Sequence, residues 1–266
     1  MGLVLVDRPR DHVAQITLNK PDRLNSMSFG LVEAFYEAVD AVAADNDTWV
    51  VVLTGAGRGF CSGLDLEDRG NVPGIDGMQA ARIGIKAMEY MSDTVPALRA
   101  MPQPVVAAIN GPAYGGGMCL ALGADVRLAA ESATFSAAGI VNGLTSTELG
   151  ASWLLPRTVG TSHSAELLLT GSEIDAGEAA RIGLVSRVVP DGTVVDEAVA
   201  VAERMCELSP FGIQMTKRTL WANLEVDSLT AAIDLENRNQ LLAGHTGNLD
   251  EAVAAFREKR RPRYRE

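Results

Sequence analysis

Residues 109–130 read INGPAYGGGMCLALGADVRLAA. The apolar run at 104–109 (PVVAAI) has the composition and length of a buried strand, and Asn110, Gly111 and Pro112 end it. Gly115, Gly116 and Gly117 then open an apolar helical stretch at 118–124, and a second strand is expected at 126–130. A strand that turns through glycines into a helix gathers bare backbone N–H groups at one place, and the helix adds the positive end of its dipole. An anion, or an oxygen becoming one, is favoured there. Taken alone, three glycines equally fit the close packing of a helix on a strand.

The same shape occurs upstream. Residues 49–54 (WVVVLT) form a buried-strand run, and residues 55–66 (GAGRGFCSGLDL) carry glycines out of it. GAGRG faintly resembles a dinucleotide-binding loop, but its third glycine is misplaced and no second strand ends in an acid at the required interval. Working outward, a strand is expected at 13–18, a helix at 28–44 with Ser28 as its cap, and a helix at 78–98. Residues 70–77 (GNVPGIDG) read as a loop, either a lid or an inert surface connection. Further strands are expected at 134–136 and 184–189. Helices are expected at 194–206, 213–224, 229–242 and 250–259. An α/β core therefore occupies residues 1–195, and residues 196–266 are helical.

With 47% apolar and 21% charged residues, the 266-residue chain has the composition of a globular protein. A net charge of −11 argues against nucleic acid as partner. The charge is uneven, because Arg257, Lys259, Arg260, Arg261, Arg263 and Arg265 crowd the C-terminal end, as a solvated tail or as an anion-binding one. The first residues reach Asp7 after only a short apolar run, and no apolar stretch is of membrane-spanning length, so a cytoplasmic protein is expected. Cys61, Cys119 and Cys206 are odd in number and lack metal-ligand spacing.

Four motifs in order, FCSGLDL, INGPAYGGGMCLALGADVRLAA, GASWLLPRTVG and LLLTGSEIDAGEAARIGLVSRVVP, resemble the enoyl-CoA hydratase/isomerase (crotonase) superfamily over nearly the whole chain. The resemblance implies an α/β crotonase-like spiral of ββα turns holding an acyl-CoA site. The helical C-terminal region would cover the active site and build a homotrimer or a dimer of trimers. It implies an oxyanion hole made by the backbone N–H groups of Leu64 and Gly116, with Gly63, Asp65, Leu66, Gly115 and Gly117 as its substrate-side neighbours. Asp65, like Glu67 and Asp68, also fits a solvated or helix-capping carboxylate. Coenzyme A is then part of the substrate, with no separate cofactor and no metal. Lys259, with Arg260 and Arg261, is expected on the CoA phosphates, across a subunit boundary or within one chain.

Related hydratases hold the attacking water between two glutamates, and this sequence has Cys119 and Gly139 at those positions. Hydration needs water activated at one carbon and a proton delivered to the next, work suited to two carboxylates. Cys119 could serve as a nucleophile, but it lies in an apolar helix with no histidine partner in sequence, which favours a buried thiol. Glu148 lies near the place where some related isomerases carry a lone acidic residue, with a single-residue insertion between. It also fits a helix start capped by Thr145 or Ser146. Leu144, Trp153 and Met118 are candidates for an acyl pocket or for plain core. Asp125 matches a structural position, and His12, His163 and His245 sit in no motif.

One carboxylate is enough to move a proton between C2 and C4 of a 3-enoyl thioester, so isomerisation is favoured over hydration, in fatty-acid or related lipid catabolism. An inactive or weakly active acyl-CoA-binding paralogue is the alternative. A serine hydrolase using Ser62 or Ser136 is remote, since no serine–histidine constellation accompanies either.

Overall fold

Runs of valine and alanine with no polar face have nothing to offer water, and a parallel sheet covered on both sides accommodates them. The computed structural model, which describes residues 2–265, contains such a sheet. The chain begins with β1 (Val4–Arg10), β2 (Val13–Leu18), α1 (Phe29–Ala43) and β3 (Val50–Gly55). Helices α2 (Ala80–Ser92) and α3 (Thr94–Ala100) lead to β4 (Val105–Ile109), β5 (Ala113–Tyr114) and α4 (Gly116–Gly123). Next come β6 (Val126–Ala130), β7 (Thr134–Ser136) and α5 (Ala151–Thr170). The strands end with β8 (Ile174–Asp175) and β9 (Arg187–Val189), separated by α6 (Ala176–Arg181). Helices α7 (Val194–Cys206), α8 (Pro210–Asn223), α9 (Leu229–Gly244) and α10 (Asn248–Glu258) follow.

The six-stranded sheet has the order β1-β2-β3-β4-β6-β9, antiparallel at β1 and parallel thereafter. A small sheet, β5-β7-β8, stands beside it. Each strand of the large sheet from β3 to β6 is followed by a residue on the small one. Cys61 bridges Ala113, and Ala113 in β5 pairs with Phe135 in β7, while Met27 and Leu64 form a further bridge. Large-sheet strand, small-sheet strand, helix is therefore the repeated turn, and the turns stack as a spiral.

Alternation along the strands divides the core in two. Ile16, Leu18, Val51, Leu53, Ala107 and Ile109 pack with α1, α3 and α4, whereas Val13, Val50, Val52, Val106 and Leu128 pack against Val194, Ala198, Val201 and Ala202 of α7. The helical region read as beginning at 196 is thus not separate at its start, because α7 covers one face of the sheet. Past α7 the burial falls away, and α9 has no buried residue.

Two expected elements differ. The helix read at 78–98 is two, since Pro96 has no N–H for the carbonyl of Ser92, and it instead occupies the first turn of α3, where none is needed. The strand read at 184–189 is confined to 187–189, because the N–H groups of Leu184 and Val185 turn to the Ala179 carbonyl and close α6. The edge strand β1, the short β5 and β8, and the helices α5 and α6 had no assignment in the sequence.

Candidate active site

The two glycine loops lie against each other. The Phe60 and Cys61 N–H groups donate to the Pro112 carbonyl at 3.1 Å each, and Tyr114 N–H donates to the Cys61 carbonyl at 3.0 Å. This approach leaves no room for a side chain at Gly117 or at Gly63. A Cβ on Gly117 would stand 1.9 Å from the Cys61 carbonyl oxygen. One on Gly63, whose φ is +84°, would stand 2.7 Å from the Tyr114 carbonyl oxygen and 3.2 Å from the Gly116 nitrogen. The Gly116 amide therefore adjoins the Gly63–Leu64 peptide.

Several groups around them are already bonded. Gly63 O accepts from Met27 N–H at 2.7 Å, Asp65 N–H donates to Met27 O at 3.0 Å, and Gly115 N–H donates to Ser136 O at 2.9 Å. Among the described residues the N–H groups of Leu64 and Gly116 have no hydrogen-bond partner. Two adjacent free donors, one of them at the positive end of α4, can hold a carbonyl oxygen as it becomes an enolate.

Glu148 stands at this junction. Its Oε1 is 3.1 Å from where a Cβ of Gly115 would be. Among the described residues its carboxylate has no hydrogen-bond or ion-pair partner, and burial raises its pKa above the ordinary range. The helix-start reading of Glu148 does not hold. Helix α5 begins at Ala151 with Gly150 before it, and Ser146 instead donates to the Ala137 carbonyl and accepts from Ile140 N–H. The residue that aims Glu148 has no sequence signal: Leu149 is buried with φ +45°, a strained conformation for leucine, and its side chain packs over Gly116.

Cys119 lies inside α4, buried, and burial pushes its thiol well above the ordinary range, as it pushes Cys61 up to about 12. Neither is a thiolate at neutral pH. The Cys119 thiol donates to the Glu148 carbonyl at 3.5 Å. Gly139 is covered by the chain itself, since a Cβ there would meet the Thr145 carbonyl oxygen at 2.1 Å.

Asp65 corrects the expectation of a solvated or substrate-facing carboxylate. Its side chain is fully buried and accepts from Lys20 (2.7 Å), Arg23 (2.9 Å) and the Ser26 hydroxyl (2.8 Å), as well as from the N–H groups of Glu67 and Asp68. Burial alone would raise its pKa. The bonds from Lys20, Asp68, Arg23 and Ser26 outweigh this and hold it well below the usual carboxylate range. Asp65 thus fixes the loop that carries Leu64. Asp125 is structural too, accepting from Val105 N–H, Trp221 Nε1–H and Lys217.

The remaining candidates scatter. Leu66 and Leu144 are each 55% exposed. Met118 is core. Trp153 packs with the guanidinium groups of Arg157, at 3.9 Å, and Arg99, at 5.3 Å. Lys259 caps α10, exposed, with no ion pair among the described residues, whereas Arg260 pairs with Glu251 and Glu258, and Arg261 with Glu207.

Comparison with known proteins shows the family. The family model for enoyl-CoA hydratase/isomerase matches residues 8–266. A probable enoyl-CoA hydratase from Mycobacterium tuberculosis is 51% identical over 263 residues, 98% of this chain and 92% of the relative. The crystal structure of a probable enoyl-CoA hydratase/isomerase from Mycobacterium abscessus, 47% identical, superposes with a TM-score of 0.94 and covers 99% of both chains. That of a monofunctional enoyl-CoA isomerase from M. smegmatis, 46% identical, does so at 0.75, covering 88% of this chain and 99% of the other. A spiral of ββα turns, two free amides at the meeting of its glycine loops, and these matches make the chain an enzyme of the enoyl-CoA hydratase/isomerase family, with the crotonase fold.

Proposed function

We propose that the enzyme isomerises 3-enoyl-CoA thioesters with Glu148 as its sole acid/base. The observation that carries this reading is the approach of the partnerless Glu148 carboxylate to Gly115, beside the free Leu64 and Gly116 amides. The thioester oxygen accepts from both amides. Glu148 removes a proton from C2, the electron pair delocalises into the thioester as a dienolate, and the same carboxyl returns the proton to C4. Hydration would need a second group to orient water, and neither Cys119 nor Gly139 supplies one. The monofunctional isomerase among the similar structures supports the same choice.

The test compares wild type with Glu148→Gln on 3-enoyl-CoA and 2-enoyl-CoA. Wild type should isomerise the first faster than it hydrates the second. Brisk hydration without isomerisation would overturn the reading, and thioester binding without any turnover would favour the inactive paralogue.

The assembly and setting belong to the same proposal. The chain forms a trimer or a dimer of trimers, a reading supported by the absence of buried residues in α9 and by its exposed Leu229, Ile233 and Leu241. CoA phosphates are held by the basic C-terminal end, where Lys259 is the member of its trio with no acidic partner among the described residues. Lipid catabolism in the cytoplasm is the proposed setting, and three free cysteines support the compartment.

A further inference from the structure

Glu148 presents a carboxylate that no side chain steadies, so its aim depends on its main chain. On the C-terminal side that main chain enters the strained left-handed turn at Leu149, which a free loop would relax. Its carbonyl is held by two donors, the Ala151 N–H at 2.7 Å and the Cys119 thiol at 3.5 Å. The first is local to the turn. The second comes from α4, 29 residues away in sequence, the helix whose first N–H groups include Gly116. Cys119 is thus the hydrogen bond that ties the acid/base to the oxyanion site.

We infer that Cys119 is a positioning residue, whose thiol holds the Glu148 main chain so that the carboxylate stays beside the Gly116 amide. This rests on Glu148 being the acid/base. The thiol is a weak donor, but it is buried with a single acceptor in reach, and a small displacement of a catalytic group costs far more in rate than in stability. A buried thiol kept protonated is suited to the task, because it donates across the whole working pH range. Glu148 released from this contact would also gain water, and its pKa would fall back toward the ordinary glutamate value.

The experiment measures kcat, KM and the acidic limb of the kcat–pH profile for wild type, Cys119→Ala, Cys119→Val, Cys119→Ser and Glu148→Gln, with a thermal melt for each. Ala removes the donor, Val removes it while keeping most of the volume, and Ser keeps a donor. Expected are a fall in kcat of about tenfold in the Ala and Val variants, KM within about twofold, an acidic limb moved to lower pH, and recovery of both rate and profile in Ser. Either of the Ala and Val variants suffices if the other does not fold. Wild-type kcat and profile in Ala or Val, with Glu148→Gln inactive, would overturn the inference while leaving Glu148 as the acid/base. A Ser variant as impaired as Ala would also overturn it, by showing that packing and not donation matters. Full activity in Glu148→Gln would remove the acid/base reading and the inference with it.

Discussion

Glu148 and Asp65 show how two carboxylates in neighbouring loops are driven in opposite directions by their surroundings. Burial without a partner raises the Glu148 pKa, so ionising it costs more in the folded chain than in the unfolded one. The stabilisation this gives is complete below the ordinary glutamate range and is lost as pH rises through the raised value. Glu148→Gln should therefore cut isomerase turnover by about 10²- to 10⁴-fold, and yet melt at a higher temperature than wild type at neutral pH, the two melting points converging in acid. A melting point lowered at neutral pH would mean that the carboxylate has an unseen partner. Asp65 behaves the other way: its contribution is present above the ordinary aspartate range and disappears only as pH falls through its depressed value. Asp65→Asn leaves Lys20 and Arg23 facing a neutral group and should cost about 3 kcal/mol in a denaturant titration at pH 7, with a loss of turnover as the Leu64 loop loosens. Retention of full stability would show that Asp65 is dispensable to that loop.

Among the elements, the loop between β7 and α5 decides which chemistry the spiral can carry. Its segment from Gly139 to Thr145 folds onto itself so closely that a methyl group at 139 forces the Thr145 carbonyl to move. Gly139→Ala should destabilise by about 1–3 kcal/mol, and Gly139→Glu should leave hydration of 2-enoyl-CoA as slow as in wild type, because the loop occupies the room a carboxylate and its water would need. Faster hydration in that variant would show that the loop yields. The strands β2, β3, β4 and β6 and both glycine loops were legible in the sequence, since apolar runs cut by glycine and proline are a local pattern. The aim of Glu148 was not, because it is set by a left-handed leucine and by contacts with Gly115 and Cys119, which lie far away along the chain. Asp65 reads as surface for a similar reason: its burial depends on Lys20, Arg23 and Ser26 from a preceding turn of the spiral. The division of one long helix at Pro96 was written in the sequence, but the apolar spacing on either side masked it.

At the scale of the whole molecule, the C-terminal helices stand apart from the sheet that α7 covers. Helix α9 has no buried residue, and Leu241, Leu249 and Phe256 carry the apolar exposure on into α10, with Phe256 84% exposed. Replacing Leu229 and Leu241 with lysine should shift the sedimentation of the enzyme from a trimer or hexamer to a monomer, with the core still folded by circular dichroism. A wild type that sediments as a monomer would contradict the proposed assembly. Helix α8 is joined to the rest through Arg99, whose guanidinium lies 3.7 Å from the Trp221 ring and 5.3 Å from that of Trp153, and through the bond from Trp221 to Asp125. This arrangement is also an optical one. Indole emission moves to longer wavelength on contact with water, and Trp221 sits at the joint between α8 and the core. In a variant with Trp49 and Trp153 both changed to phenylalanine, Trp221 is the only indole left to emit when excitation is set beyond tyrosine absorption. A red shift that comes before the loss of helical ellipticity on heating would report α8 leaving the core while the spiral is still intact, and a coincident change would report that the two melt as one unit.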